Sequence, residues 1–171
     1  MGSRKEYIIP FTSLKTGKHE LEYEIDDKFF EDIDYSEVKK SSAAVNVSLN
    51  KQSTLLVLDF KIKGTVEVPC DRCGDEFDQA IENEYQLIFK LNAEKYEEGD
   101  DVIYLPASEY EIEISQFIYE YILLSVPQHR VHPKGKCNKE VLKKLKELSA
   151  NMQHEEQADP RWDALKNIKL N

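Results

Sequence analysis

The chain has 171 residues, 33 acidic against 23 basic, a formal net charge of -10 and three cysteines. That length suits one domain that buries a core without disulfides. The charge excludes broad, whole-surface phosphate binding, which needs many cationic contacts, so any nucleic-acid contact must use a local patch. An odd cysteine count, too small for a secreted disulfide scaffold, points to a reducing compartment. The basic residues near Met1 precede no apolar run, and the longest apolar stretch, Phe117 to Val126, is interrupted by Glu120 and too short to span a bilayer. Neither a secretory signal nor a membrane span is expected, and the expected location is the cytoplasm.

The first half alternates with a period of two. Leu21, Tyr23 and Ile25 alternate with Glu20, Glu22 and Glu24; Val45, Val47 and Leu49 alternate with Asn46, Ser48 and Asn50. Leu56, Leu58, Phe60 and Ile62 continue the pattern, and their parity runs past Gly64 through Val66 and Val68 to Cys70. Each run predicts a strand with one face on a core and the other in water. One long strand, bent or bulged at Gly64, accounts for the third run, with a hairpin there as the alternative. Ile81, Tyr85, Leu87, Phe89 and Leu91 share one parity again, so Cys70-Asp71-Arg72-Cys73-Gly74 falls at a turn between two antiparallel strands.

Residues 92–101 are acidic and predict a solvated loop; the spacing of a calcium loop is absent. A short strand at Val102 to Leu105 follows, then a brief extended piece from the alternation of Tyr110, Ile112 and Ile114. The period then becomes helical. Phe117, Ile118, Tyr121, Ile122 and Leu124 form a wide apolar stripe with Ser115 as a candidate cap, and Pro127 ends it. A second helix is expected from Asn138 to about Ser149, with Val141, Leu145 and Leu148 opposite Lys139, Lys143 and Lys146. Residues 149–158 read as a polar linker. Asp159-Pro160 then opens a last short helix carrying Trp162, Leu165 and Ile168.

Three motifs bear on chemistry. The C-x-x-C-G knuckle suits two thiolates on one metal, and the following glycine permits a tight backbone. It also fits a redox dithiol, although that motif normally opens a helix in a βαβ setting, or two thiols with no role. The segment His132-Pro133-Lys134-Gly135-Lys136-Cys137 is a loop able to turn two side chains inward. Cys70, Cys73, His132 and Cys137 together make the ligand set of a closed tetrahedral zinc site, which leaves no position for a substrate; His129 is a competing ligand, and His19 and His154 read as ordinary surface or strand residues. The second motif is basic: Arg130, Lys134, Lys136, Lys139, Lys143, Lys144 and Lys146 face one acid, Glu140. It reads as a phosphate-binding patch that seats the protein on RNA or as a solvated helix face. The third is Arg161-Trp162, either docked on its own domain or an anchor for a partner. No Gly-rich phosphate loop, nucleophile elbow or helix-borne metal-hydrolase motif is present, so no enzyme and no small-molecule substrate are expected.

Four places carry a family likeness: Val68-Pro69-Cys70-Asp71-Arg72-Cys73; the run Glu120 to Pro127; the loop from Pro127 through His132 to Cys137; and Asp159-Pro160-Arg161-Trp162 with Leu165. In these the chain resembles the YceD family, bacterial and plastid proteins required for accumulation of large-subunit ribosomal RNA. Gly74 departs from the apolar residue frequent in relatives, and no candidate ligand is lost by it. The resemblance selects His132 over His129. It implies a non-catalytic factor of large-subunit ribosome assembly whose partner is the pre-ribosomal large subunit, met through ribosomal RNA or a basic ribosomal protein. The rival classes are a zinc-stabilised protein-interaction module unrelated to RNA and a C-x-x-C thiol redox protein. The expected architecture is α+β: an antiparallel, barrel-like sheet followed by C-terminal helices. Residues 1–148 form the expected domain, and 149–171 the linker and short helix.

Overall fold

The computed structural model describes residues 4–31, 33, 36–91 and 102–151. The fold is α+β, as the periodicities predict. Its centre is a five-stranded sheet of order β2-β3-β4-β5-β6, built from β2 (Gly17–Ile25), β3 (Ser41–Lys51), β4 (Leu55–Pro69), β5 (Glu76–Leu91) and β6 (Ile103–Leu105). The first four strands pair antiparallel in sequence order, and β6 joins β5 in parallel at Phe89↔Ile103. The sheet is open, with β2 and β6 at its edges, so "barrel-like" describes it only loosely. A two-stranded ribbon of β1 (Ile8–Ile9) and β7 (Ile112–Glu113) lies apart from it. Among the described residues three α-helices complete the set, α1 (Asp27–Glu31), α2 (Ser115–Ser125) and α3 (Lys139–Asn151), beside two short 3-10 turns at Arg4–Tyr7 and Phe11–Ser13. None of the described helices is long and apolar enough to cross a membrane.

The alternation in the sequence is the alternation in burial. Val45, Val47, Leu49, Leu56, Leu58 and Phe60 are fully buried, while Asp59, Lys61 and Lys63 face outward. On that outer face Lys61 and Lys63 pair across the strands with Glu84 (2.8 Å) and Glu82 (3.0 Å). β4 is one strand, but it carries no bulge: its register to both neighbours runs unbroken through Gly64, which pairs Ala43 on one side and Ile81 on the other. The glycine answers a different need. A Cβ there would stand inside the β3 backbone at Ser42 and Ala43, so the close approach of the two strands requires its absence.

α2 closes the inner face of the sheet. Ile114, Ile118 and Ile122 are fully buried, each contributing about 2–3 kcal/mol by area removed from water. Tyr121 stacks on Tyr85 at 4.5 Å and meets Phe60 edge-on at 5.1 Å. Two details differ from the helical pattern expected. Leu124 points outward, because the buried stripe centres on Ile118 and Ile122 and includes Tyr119 and Ser125 instead. Ser115 makes no cap; its hydroxyl donates to Glu113 at 2.7 Å, and Ile114 occupies the N-cap position. The turn just before β1 and α1 are joined to α2 by aromatic contacts running Tyr7–Phe29, Phe29–Phe30 and Phe30–Tyr119. The predicted acidic loop at 92–101 and the C-terminal helix near Trp162 lie outside the described residues.

Candidate metal centre

The β4–β5 hairpin is long, paired from Leu55↔Lys90 to Pro69↔Glu76, and its tip projects past the main core. Cys70 keeps the inward parity of β4 and is 2 % exposed. The tip folds back through hydrogen bonds from the Cys70 amide to the Asp75 carbonyl (2.9 Å) and from the Gly74 amide to the Cys70 carbonyl (2.8 Å). Gly74 takes a left-handed φ of 79°, which glycine adopts without a Cβ penalty. The turn brings Cys73 beside Cys70.

The second half comes from the connection between α2 and α3. Val126 leaves α2 in an extended conformation, as the following Pro127 requires. The loop turns at Pro133, whose carbonyl accepts from the Lys136 amide at 3.1 Å, and Gly135 sits at φ 85°. His132 and Cys137 face inward. Immediately after Cys137, Asn138 caps α3, its Oδ1 accepting from the Glu140 amide at 3.1 Å.

Backbone and side chain staple the halves together. The Asp71 amide donates to the Arg130 carbonyl (2.7 Å), and the Arg130 amide donates to Asp71 Oδ2 (2.7 Å). Arg130 Nε lies 3.6 Å from Asp71 Oδ1. The Phe77 ring packs on the His132 ring at 4.6 Å, fixing the plane of the imidazole.

The ligand atoms of Cys70, Cys73, His132 and Cys137 all lie within 4.8 Å of one another. Cys70 Sγ and Cys137 Sγ are 3.9 Å apart, and Cys73 Sγ is 3.4 Å from His132 Nδ1. A tetrahedral zinc site with metal–sulfur bonds near ~2.3 Å has sulfur–sulfur edges of about 3.8 Å and sulfur–nitrogen edges of about 3.5 Å. The donor set and its spacing therefore fit a metal ion of that kind. Electrostatics fit as well. Burial pushes the Cys70 thiol up, but the main-chain amides of His132, Arg72 and Cys73 and the His132 ring favour its thiolate and bring it down to about 5. Cys137 is held above its ordinary value by burial and by its sulfur neighbours Cys70 and Cys73. Three sulfurs in contact cannot all ionise without a cation among them. The three cysteines form a small buried cluster of their own, flanked by Phe77, Val141 and Leu142.

The structure thus brings together all four residues chosen from the sequence and leaves His129 exposed outside the cluster. The basic residues are spread more widely. Lys134 and Lys136 are exposed on the loop between α2 and α3, and Lys139, Lys143 and Lys146 are exposed on α3, where Lys143 lies 4.0 Å from Glu147. Arg130 is half-buried, with its Nε 3.6 Å from Asp71 Oδ1. Arg161 and Trp162 lie outside the described residues. Sequence reasoning missed Asp71, the residue that joins the two halves. Its only signal is its place inside the knuckle, and one acid in so acidic a chain does not stand out.

An open α+β sheet whose hairpin tip and helix-connecting loop share a three-cysteine, one-histidine centre defines a class of small protein with a metal-capable knuckle. Within that class the chain belongs to the family described as large ribosomal RNA subunit accumulation protein YceD, whose model matches residues 58–169, including all four of these side chains. No curated protein and no solved structure matches the chain.

Proposed function

We propose that the chain is a cytoplasmic, non-catalytic factor of large-subunit ribosome assembly, and that a zinc ion held by Cys70, Cys73, His132 and Cys137 fixes its basic segment against the sheet. The family description supports the ribosomal role. The observation that carries the mechanism is the position of Cys137, one residue before the cap of α3. A metal bound there anchors the first turn of the helix that carries Lys139, Lys143 and Lys146. Bound zinc would supply a structural crosslink between distant parts of the chain and no open coordination position. The lysines would contact ribosomal RNA through its phosphates, which gives salt-sensitive binding without base specificity.

A pull-down from native lysate, with and without nuclease, tests the reading. Association with large-subunit precursors that is lost on nuclease treatment or on Lys139→Glu/Lys143→Glu/Lys146→Glu supports RNA contact. Association that survives both points to a basic ribosomal protein meeting the acidic surface. Elemental analysis of protein purified without chelator should find one zinc per chain, and Cys137→Ser should lose it.

A thiol redox role draws on one observation, the lowered Cys70 thiol. Two others weigh against it. Strands rather than a helix follow the knuckle, and Cys70 and Cys137 are 2 % and 5 % exposed, whereas redox cysteines are reachable. Fast alkylation of Cys70 at neutral pH in zinc-loaded protein would restore that role.

A further inference from the structure

A groove of about 760 Å³ lies between the end of β4 and the C-terminus of α2. Val38 and Val68 are buried in its lining, Leu123 and Val126 are half-buried, and Pro69 and Pro127 are exposed on it. Leu124, the residue after Leu123, and Val131, the residue after Arg130, are exposed large apolar groups, so the apolar surface does not stop at the lining. Both walls are fixed. Pro69 pairs with Glu76 at the end of the β4–β5 hairpin, and the Pro127–Arg130 wall is held by the hydrogen bonds between Asp71 and Arg130. A preformed groove costs its occupant less ordering. We propose that it seats an extended segment of a basic protein, with an apolar residue of that segment entering between Val68 and Leu123 and an adjoining lysine or arginine meeting Glu37.

Charge selects the occupant. Glu37, Gln128 and Arg130 bring polar side chains to the groove. Arg130 faces Asp71, so its charge is already answered. Glu37 is exposed and makes no ion pair or hydrogen bond with a described residue. The neighbouring lysines do not supply one: Lys40 pairs with Glu67 at 2.8 Å, and Lys39 lines a separate hollow with Phe30. The rim therefore carries one unanswered negative charge, which repels phosphate and favours a cation. This sets the groove apart from the lysines of α3 and argues against RNA as its occupant. A small molecule fits no better. Every buried side-chain nitrogen and oxygen among the described residues already has a partner, so no buried polar group is left to orient a small ligand. An extended peptide needs none, because its apolar side chain fills the groove while its cation stays at the wet rim. The net charge of -10 also draws a cationic partner from a distance. The groove does not depend on the ribosomal reading; where that reading holds, the segment belongs to a basic protein of the large subunit.

Photo-crosslinking in cells of the protein's own source identifies the occupant. The photoreactive residue p-benzoylphenylalanine replaces Gln128, exposed on the rim, and in a control replaces Asn50, exposed on the outer face of the sheet. The expected adduct is a peptide of another protein in which lysine or arginine adjoins an apolar residue, and it should be missing from the control. Glu37→Lys and Leu123→Asp should each lower its yield several-fold. Glu37 is a surface residue, so its variant should keep the wild-type far-UV circular dichroism and melt even if Leu123→Asp does not. The crosslinked peptide, synthesised with a fluorophore, should bind the purified full chain in an anisotropy titration and bind Glu37→Lys several-fold more weakly. An adduct to RNA, to this chain or to a second copy of it overturns the proposal. So does a yield no higher than at Asn50, or one that Glu37→Lys leaves unchanged. An adduct to a basic protein from outside the ribosome keeps the groove and removes the large subunit as the source of its occupant. Association with large-subunit precursors that persists without any adduct does the reverse.

Discussion

Asp71 allows the clamp to be separated from the centre it holds. Its carboxylate accepts the Arg130 amide at 2.7 Å and faces Arg130 Nε at 3.6 Å. The two side chains are 38 % and 29 % exposed, so the ion pair is of the surface kind and contributes about 0–1 kcal/mol. The amide–carboxylate hydrogen bond is charge-assisted but partly wet, and contributes about 1–1.5 kcal/mol. Asp71→Asn keeps an acceptor and loses the charge, at a cost of about 0.5–1 kcal/mol; Asp71→Ala loses both, about 2 kcal/mol. Neither removes a ligand. The cost falls on holding the 127–137 loop where His132 and Cys137 meet the knuckle, so it appears as weaker metal binding. With a factor of ten for about 1.4 kcal/mol, Asp71→Ala should lower zinc affinity about 10–30-fold and Asp71→Asn about 2–5-fold, in line with residues that orient metal ligands elsewhere. Competition against a colorimetric chelator measures both, and hydrogen exchange over 128–137 reports the loop directly. If Asp71→Ala binds zinc within about twofold of wild type and its loop exchanges no faster, the carboxylate positions nothing and the clamp reasoning fails.

Further consequences follow from other parts of the fold. Gly64→Ala places a methyl inside the β3 backbone at Ser42 and Ala43, in mid-sheet where neither strand can yield, and should cost about 3 kcal/mol, lowering Tm by roughly 6–12 °C; a melt within about 2 °C of wild type would show that the strands are not so close. Ile118→Ala, at a fully buried position under α2, should cost about 2–5 kcal/mol in urea denaturation, and a loss below about 1 kcal/mol would place α2 off the sheet. Burial, then the charges of Glu6 and Asp26 and the neighbouring Tyr23, holds the Tyr7 hydroxyl above its ordinary 10.0, and burial does the same at Tyr23. The raised group favours the neutral phenol in the fold, so stability is intact below pH 10 and falls above it as the unfolded chain ionises first. Urea midpoints at pH 8 and 10.5 should show this loss, and Tyr7→Phe should reduce it; an equal loss in the variant would assign the effect elsewhere.

How much of this was legible in the sequence depended on periodicity. β3 and most of β4 bury every second side chain, and β5 buries Ile81, Leu87 and Phe89 on one parity, so their strands, their inward parity and the turn at the knuckle could be read without coordinates. Parity also carried the inward direction of Cys70 to the end of β4. What could not be read is what periodicity does not encode. Gly64 has the same sequence appearance whether it bulges a strand or admits a neighbour, and only the paired register tells them apart. Leu124 extends the apolar run of α2 yet faces water, because a helix has one buried side however apolar its composition. The parallel placement of β6 and the ribbon of β1 with β7 rest on strands of two or three residues, too short to carry a pattern. At the centre, the four candidate ligands were visible as a spacing. Their convergence depended on Asp71 and Arg130, which in the sequence were one acid among many and one member of a basic run.

The centre sits outside the main core, and this bears on what it can do. The large buried cluster runs through the sheet, α1 and α2, while the three cysteines form a second cluster against which the apolar side chains Phe77, Val141 and Leu142 pack. Removing metal should therefore leave the sheet folded and free the loop and α3, a local opening rather than global unfolding. Phe77 belongs to both clusters: it packs on His132 from β5 while also lining the main core. Its ring is the mechanical link by which the sheet orients the imidazole. Basic side chains on a helix tethered this way keep a fixed direction relative to the sheet, which favours binding to a shaped surface over loose attraction to any polyanion. Chelator treatment thus makes the sharpest distinction available. Near-UV circular dichroism of the sheet tyrosines should persist while α3 loses exchange protection, and association with ribosomal precursors should fall with α3. If binding persists after α3 is freed, the helix direction is irrelevant and the contact surface lies on the sheet.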